Sequence, residues 1–168
     1  MIATAHAIDD KPSAFRYPRG ASVGVEIDKN PQPLAIGKGR YIKKGEKVAI
    51  LSFGARLEEV KKASQILEMK GLNITIADAR FAKPLDISMV EELAKTHDAF
   101  ITIEEGTVGG FGSHVSHHLA NKGFFDKGLK FRSMVMPDEF MDQDGQAAMY
   151  ETAGLSADAI VNMVSSLV

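Results

Sequence analysis

The 168-residue sequence contains no cysteine and no tryptophan. Without cysteine there is no disulfide, no thiol nucleophile and no zinc–thiolate centre. No apolar run approaches the roughly 20 residues that a membrane helix needs. An excess of one charge is also missing: 20 Lys and Arg stand against 22 Asp and Glu, for a net charge of −2. A protein that coats a polyanion is usually basic, so this balance argues against nucleic-acid binding. Residues 1–10 lack a basic start and carry Asp9 and Asp10, unlike a signal peptide. Together these absences suit a cytoplasmic protein. What is present is an ordinary globular mixture, 45% hydrophobic and 25% charged. That is enough for the core of one domain, or of one domain with an extension.

The pattern along the chain divides into three parts. Residues 1–8 are Ala-rich and suit the last turns of a helix, which Asp9, Asp10 and Pro12 break. Residues 13–17 look extended, with Pro18 holding Tyr17 out of the helical region. Residues 20–45 carry Gly20, Gly24, Pro31, Pro33, Gly37, Gly39 and Gly45, and their composition is that of a linker with short extended pieces at 23–27 and 34–36. From Lys47 the pattern alternates. Residues 48–53 form an apolar run that suits a buried strand. Leu57, Val60, Ser64 and Leu67 recur at helical spacing up to the stop at Lys70 and Gly71. Further strands are expected at 73–77, 99–103 and 131–135. Helices are expected from Pro84 and Asp86 with Ile87, Val90, Leu93 and Ala94 inward, then to about Asn121, and at 146–153 and 157–167. Alternating strands and helices predict an α/β fold with a mostly parallel sheet between helical layers.

Five groups of residues stand out. Gly106, Gly109, Gly110 and Gly112 lie between a strand and a helix, where dinucleotide folds cradle a pyrophosphate. Their spacing is neither GxGxxG nor that of a Walker loop, and Glu104 and Glu105 just before them would repel phosphate. The alternative is a tight turn in which small residues allow close approach. Glu104 and Glu105 are either acid–base groups or structural carboxylates; as neighbours on a strand they face opposite ways, which disfavours a paired site. His114, His117 and His118 have the three- and four-residue spacings of a metal pair, but no local carboxylate completes a set, and surface histidines are the alternative. Arg80, in the stretch Asp78-Ala-Arg-Phe-Ala-Lys-Pro-Leu-Asp86, falls just past a strand's carboxyl end, where open α/β sheets bind ligands. Its guanidinium suits bidentate phosphate binding, or equally an ion pair to Asp78 or Asp86. Phe15, Arg16, Tyr17 and Arg19 surround Pro18, with Phe15 and Tyr17 expected on one face.

Read together, the stretches DDKPSAFRYPRG (9–20), PLAIGKGR (33–40), DARFAKPLD (78–86), ITIEEGTVGGFGSHV (101–115) and MPDEFMDQ (136–143) resemble the C-terminal end of the 1-deoxy-D-xylulose-5-phosphate synthases, a family of the transketolase superfamily. FRYPRG is shared with other members; ARFAKPLD with PDEFMDQ is more specific. Transketolase itself and the 2-oxoacid dehydrogenase β subunits are the next nearest families. The resemblance implies that 1–19 end a pyrimidine-binding domain, that 20–45 link domains, and that 46–168 form a transketolase C-terminal domain with a five-stranded, mostly parallel sheet in an α/β/α arrangement.

The resemblance also implies a homodimeric transferase that uses thiamine diphosphate and Mg²⁺. It would condense pyruvate with D-glyceraldehyde 3-phosphate, lose CO₂, and serve isoprenoid, thiamine and pyridoxal biosynthesis. Of the family's site residues only one arginine maps here, onto Arg80, which is expected to hold the aldehyde's phosphate. The GDG-type metal and diphosphate motif and the glutamate that activates the cofactor have no counterpart. A fragment that is inactive alone and binds no cofactor is therefore expected, with no catalytic, metal or cofactor residue of its own. Where the family often has a His near PDxF, this chain has Gln143, so that loop is given no role. The competing readings are a free-standing α/β binding or oligomerisation module and the C-terminal part of another thiamine-diphosphate enzyme.

Overall fold

The structure is a computed structural model that describes residues 1–18, 24 and 26–168. Its elements are α1 (Ile2–His6), β1 (Arg40–Lys43), β2 (Val48–Phe53), α2 (Leu57–Met69), β3 (Thr75–Asp78), α3 (Ile87–Thr96), β4 (Ala99–Glu104), α4 (Phe111–Asn121), β5 (Lys130–Met134), α5 (Gln146–Thr152) and α6 (Ala157–Ser165). The strands form one sheet in the order β1-β3-β2-β4-β5. All neighbours run parallel except β1, which pairs antiparallel with β3.

Strands β2 and β4 sit at the centre and are apolar on both faces, which is why they read as continuous runs. One face of the sheet presents Val48, Ile50, Ile76, Ile101 and Ile103 to α2 and α6. The other presents Ala49, Leu51, Ala77 and Phe100 to α3 and α4. The result is the expected α/β/α fold with a mostly parallel five-stranded sheet. Caps mark the helices where the sequence placed them. Asp86 accepts from the Met89 N–H at the start of α3, and Ser156 accepts from Ala159 at the start of α6. Gly71, with φ +80°, follows the Lys70 cap of α2.

Three details differ from the sequence reading. The fifth strand, β1, comes from 40–43, a stretch whose composition suggested linker. It was hidden because its glycines signal looseness in sequence but allow tight packing in space. A Cβ at Gly45 would strike the main chain of Ile74, and one at Gly39 would lie 2.7 Å from Met89 Sδ. Ile87, expected inward, is 49% exposed, because it is the first residue after the Asp86 cap; Met89 is buried instead. No regular strand forms at 34–36 or 13–17, and the piece expected at 23–27 lies partly outside the described residues. The Phe15 and Tyr17 rings do share a side, 6.1 Å apart and both exposed. Helix α1 is tied down by Thr4, whose Oγ1 accepts from the Leu34 N–H at 2.9 Å.

Ser52 in β2 is fully buried, and among the described residues its Oγ has no hydrogen-bond partner. An unpaired buried hydroxyl costs about 1–3 kcal/mol. Ser52→Ala is therefore expected to raise stability by about 1 kcal/mol in urea unfolding. Destabilisation by that substitution would mean that the hydroxyl has a partner.

Candidate functional site

Because β2 to β5 are parallel, the turns after β2, β3, β4 and β5 all emerge at one edge of the sheet. The chain runs from β2 to β3 on one side, then returns to place β4 on the other side of β2. Ligands of open α/β sheets bind at such a reversal, outside the carboxyl ends. Arg80, Glu104, Glu105 and the glycines that follow them lie along this edge, in three separate clusters.

The first cluster is a glycine turn that encloses the chain's own carboxylate. Glu104 ends β4, is 2% exposed, and its Oε1 accepts from the Gly112 N–H at 2.8 Å. A Cβ at Gly110 would lie 2.8 Å from both carboxylate oxygens, and one at Gly106 would strike Oε2. Gly106 and Gly110 are thus accounted for by Glu104, which sits where a bound phosphate would, at the N-terminus of the 11-residue helix α4; Gly112 instead makes room for Ser133 and Thr102, and Gly109 has a φ of +92°.

The second cluster lies at the reversal itself. Glu105 faces the opposite way from Glu104, as strand alternation demands. It is half-buried, and both its partners come from outside its own strand. Arg56 Nε donates to its Oε1 at 3.2 Å, and the Tyr150 hydroxyl donates to the same oxygen at 2.6 Å. The Arg56 guanidinium stacks on the Tyr150 ring at 3.5 Å from its centroid. Burial first, then the hydrogen bond to Glu105, pushes the Tyr150 phenol above its ordinary value. This triad fastens α5 to the sheet edge. Tyr150→Phe keeps the stack but removes the donor, and is expected to cost about 1.5 kcal/mol. A loss under 0.3 kcal/mol by urea titration (roughly the scatter of such measurements) would show that the bond contributes nothing.

The third cluster surrounds Arg80, just past β3. Arg80 is half-buried with φ +57°, a left-handed conformation that is uncommon outside glycine. Its backbone N–H donates to Asp78 Oδ1 at 3.1 Å. The ion pairs that would make it structural are not formed. Asp78 Oδ2 is taken by Arg40 Nε at 3.0 Å. Asp86 accepts from Gly39 N–H at 3.0 Å, Met89 N–H at 3.2 Å, Ser88 Oγ at 2.6 Å and Lys38 Nζ at 3.3 Å. Among the described residues the Arg80 guanidinium has neither a hydrogen bond nor an ion pair. For Asp86, burial raises the carboxyl pKa, but the bonds from Ser88, Met89, Gly39 and Lys38 outweigh it and leave the group below the usual range. The stability it lends is complete above its unfolded pKa and is lost as pH falls through the lowered folded value.

The histidines do not converge. His114 is exposed, His117 Nε2 meets Asn121 Nδ2 at 3.0 Å, and His118 Nε2 lies 3.2 Å from Glu91 Oε1. Among the described residues no three His, Asp or Glu side chains are placed to hold a metal ion. A cavity of about 640 Å³ opens at the opposite, amino edge, beside Lys47, His97 and Lys130. Two of its polar groups are engaged within the fold: His97 bonds Thr75 Oγ1 at 2.7 Å and the Leu93 carbonyl at 3.0 Å, and Lys130 Nζ donates to the Leu167 carbonyl at 2.7 Å. The sequence reading overlooked Arg40, Arg56 and Tyr150. A cation three residues past a strand end was a usable signal for Arg56; nothing local marks Arg40 or Tyr150.

Over residues 37–160 the chain matches the family described as Transketolase, C-terminal domain. All three clusters fall within that span. Among solved structures the chain is similar to one titled "Split gene transketolase, inactive beta4 tetramer", at 27% identity and a TM-score of 0.71. The similarity covers 81% of this chain and 44% of that one, so this chain spans less than half the length of its neighbour. Among the described residues no helix is long and apolar enough to cross a membrane.

Proposed function

Since the chain belongs to the transketolase C-terminal domain family, we propose that it serves as the C-terminal domain of a thiamine-diphosphate-dependent enzyme whose substrate is a phosphorylated aldehyde. The supporting observation is the Arg80 guanidinium, which stands past a carboxyl strand end while other groups occupy both neighbouring carboxylates. It would hold the phosphate remote from the reacting carbonyl. Binding energy collected there orients the aldehyde for attack.

Thiamine diphosphate and Mg²⁺ do not fit the described residues of this chain. No carboxylate set is arranged for a metal, and Glu104 fills the one glycine cradle. We assign both to other domains of the enzyme and derive no step through them.

Two enzymes share this chemistry. The likeness to the split-gene transketolase favours the C-terminal part of a transketolase. The stretches ARFAKPLD and PDEFMDQ favour 1-deoxy-D-xylulose-5-phosphate synthase, which joins pyruvate to D-glyceraldehyde 3-phosphate with loss of CO₂. The neighbour's title describes an inactive assembly of four beta chains. By analogy, this chain alone is inactive and self-associates, and it joins a homodimer when the remaining domains are present. The test is to supply those domains and measure CO₂ release from carboxyl-labelled pyruvate. Release that depends on glyceraldehyde 3-phosphate supports the synthase. Ketose exchange without CO₂ release supports the transketolase. Neither activity, in a protein shown to bind thiamine diphosphate, would sink both and leave another thiamine-diphosphate enzyme or a binding module.

A further inference from the structure

We propose that Arg40 is a second guanidinium on the anion that Arg80 receives, and that Asp78 positions the two. The inference rests on the assignment of Arg80 to a substrate phosphate, and it names the partner that makes that site fit a dianion.

The topology brings Arg40 to the site. Strand β1 is the one antiparallel member of the sheet, so its first residue lies at the edge where β3 ends. Arg40 is paired in register with Asp78, and Arg80 follows two residues later. The Asp78 carboxylate then engages both arginines, one with each oxygen. Oδ2 accepts from Arg40 Nε at 3.0 Å, and Oδ1 accepts from the Arg80 backbone N–H at 3.1 Å. The two attachments leave different groups available. Arg40 is held through Nε alone, with its side chain 50% exposed, so its Nη donors remain for a ligand. Arg80 is held through its main chain, so its entire fork remains.

Stability alone does not account for this arrangement. Asp78 is mostly buried, but the Arg40 end of the pair is half exposed, so solvent screens much of what the pair adds to folding. The left-handed Arg80 is a residue type that costs free energy at that φ, and such residues concentrate at ligand sites. Charge points the same way. Lys38 and Asp86 neutralise each other, and Arg40, Arg80 and Asp78 together leave one net positive charge. A phosphate monoester carries about −1.5 to −2 near neutral pH and takes guanidinium forks in bidentate fashion. A monoanionic carboxylate would gain less from a second fork.

The experiment is an NMR titration of the isotope-labelled 168-residue chain with inorganic phosphate, following the arginine Nε–H signals and the β1 and β3 amides. Arg80→Ala and Arg40→Ala are each expected to weaken phosphate binding on the order of tenfold. Arg40→Lys is expected to recover only part of the loss, because an ammonium cannot hold Asp78 and present a fork together. Asp78→Asn is expected to weaken binding severalfold, although removing a negative charge would tighten it by Coulomb attraction alone. Lys127→Ala, at the opposite edge, is expected to leave binding unchanged.

If Arg80→Ala weakens binding while Arg40→Ala matches Lys127→Ala, the role of Arg40 is overturned and the assignment of Arg80 stands. If Asp78→Asn tightens binding, the positioning role of Asp78 is overturned. If no variant differs from the parent, or the parent shows no phosphate-dependent shift at Arg40 and Arg80, both assignments fall. Unchanged β1 and β3 amide signals in the Arg40 variants tie any loss to the ligand rather than to a detached strand.

Discussion

Replacing Arg80 by alanine in the assembled enzyme is expected to lower kcat/KM for the phosphorylated aldehyde by roughly ten- to hundredfold. A charge-assisted hydrogen bond to phosphate is worth about 1.5–3 kcal/mol, and each 1.36 kcal/mol is a decade in rate. If the enzyme is the synthase, steps that involve only pyruvate should change little, since pyruvate carries no phosphate. The fold should tolerate the change, because the guanidinium is bonded to nothing else among the described residues. Arg80→Gly is a sharper companion. It removes the same group but relieves the left-handed φ of +57°, so it should lose the same activity while melting no lower than the parent. Aldehyde kinetics within twofold of the parent for both variants would remove Arg80 from the substrate site. A fall in melting temperature with unchanged kinetics would assign it to the fold.

Glu104→Ala should cost more stability than Tyr150→Phe or either change at Arg80, at about 2–4 kcal/mol. The carboxylate satisfies the buried Gly112 N–H and fills the space around Gly106 and Gly110. Alanine would leave both an unpaired donor and a void. For a domain of this size that is roughly 5–15 °C in Tm. Glu104→Gln retains an acceptor of nearly the same shape and should lose much less. If calorimetry found Glu104→Ala melting within 2 °C of the parent (less than about 1 kcal/mol), the carboxylate would not be what holds the glycine turn.

Most of the fold was legible in the sequence because its main signals are local. The stretches 48–53 and 99–103 are buried on both faces and carry no alternation to misread. Helices α2, α3 and α6 announce themselves by spacing and by the caps Asp86 and Ser156. Strand β1 was not legible, because Gly39 and Gly45 serve close approach to Met89 and Ile74, partners that lie far along the chain. The candidate site was legible only in part, for the same reason. Arg80 could be placed at a strand end from its neighbours alone. Whether it was free depended on Asp78 and Asp86 being engaged by Arg40, Lys38 and Gly39, contacts that span about forty residues or more of chain. The Gly-rich turn showed the converse. Its composition permits an anion, and its anion turned out to be the residue that precedes it.

Glu104 is also, in effect, a competitor that never dissociates. A tethered group acts at an effective concentration of at least about millimolar, and a rigidly oriented one far above that. A free phosphate or nucleotide reaching this turn would have to displace a carboxylate already aligned on the Gly112 N–H and packed against Gly110. The turn is thereby closed to the dinucleotides that loops of similar composition admit, at any concentration a solution would supply. On the proposed reading, selectivity at this edge of the sheet is set by exclusion as well as by attraction: one anion receptor is plugged from within, and the guanidiniums of Arg80 and Arg40 are left for an incoming phosphate to meet.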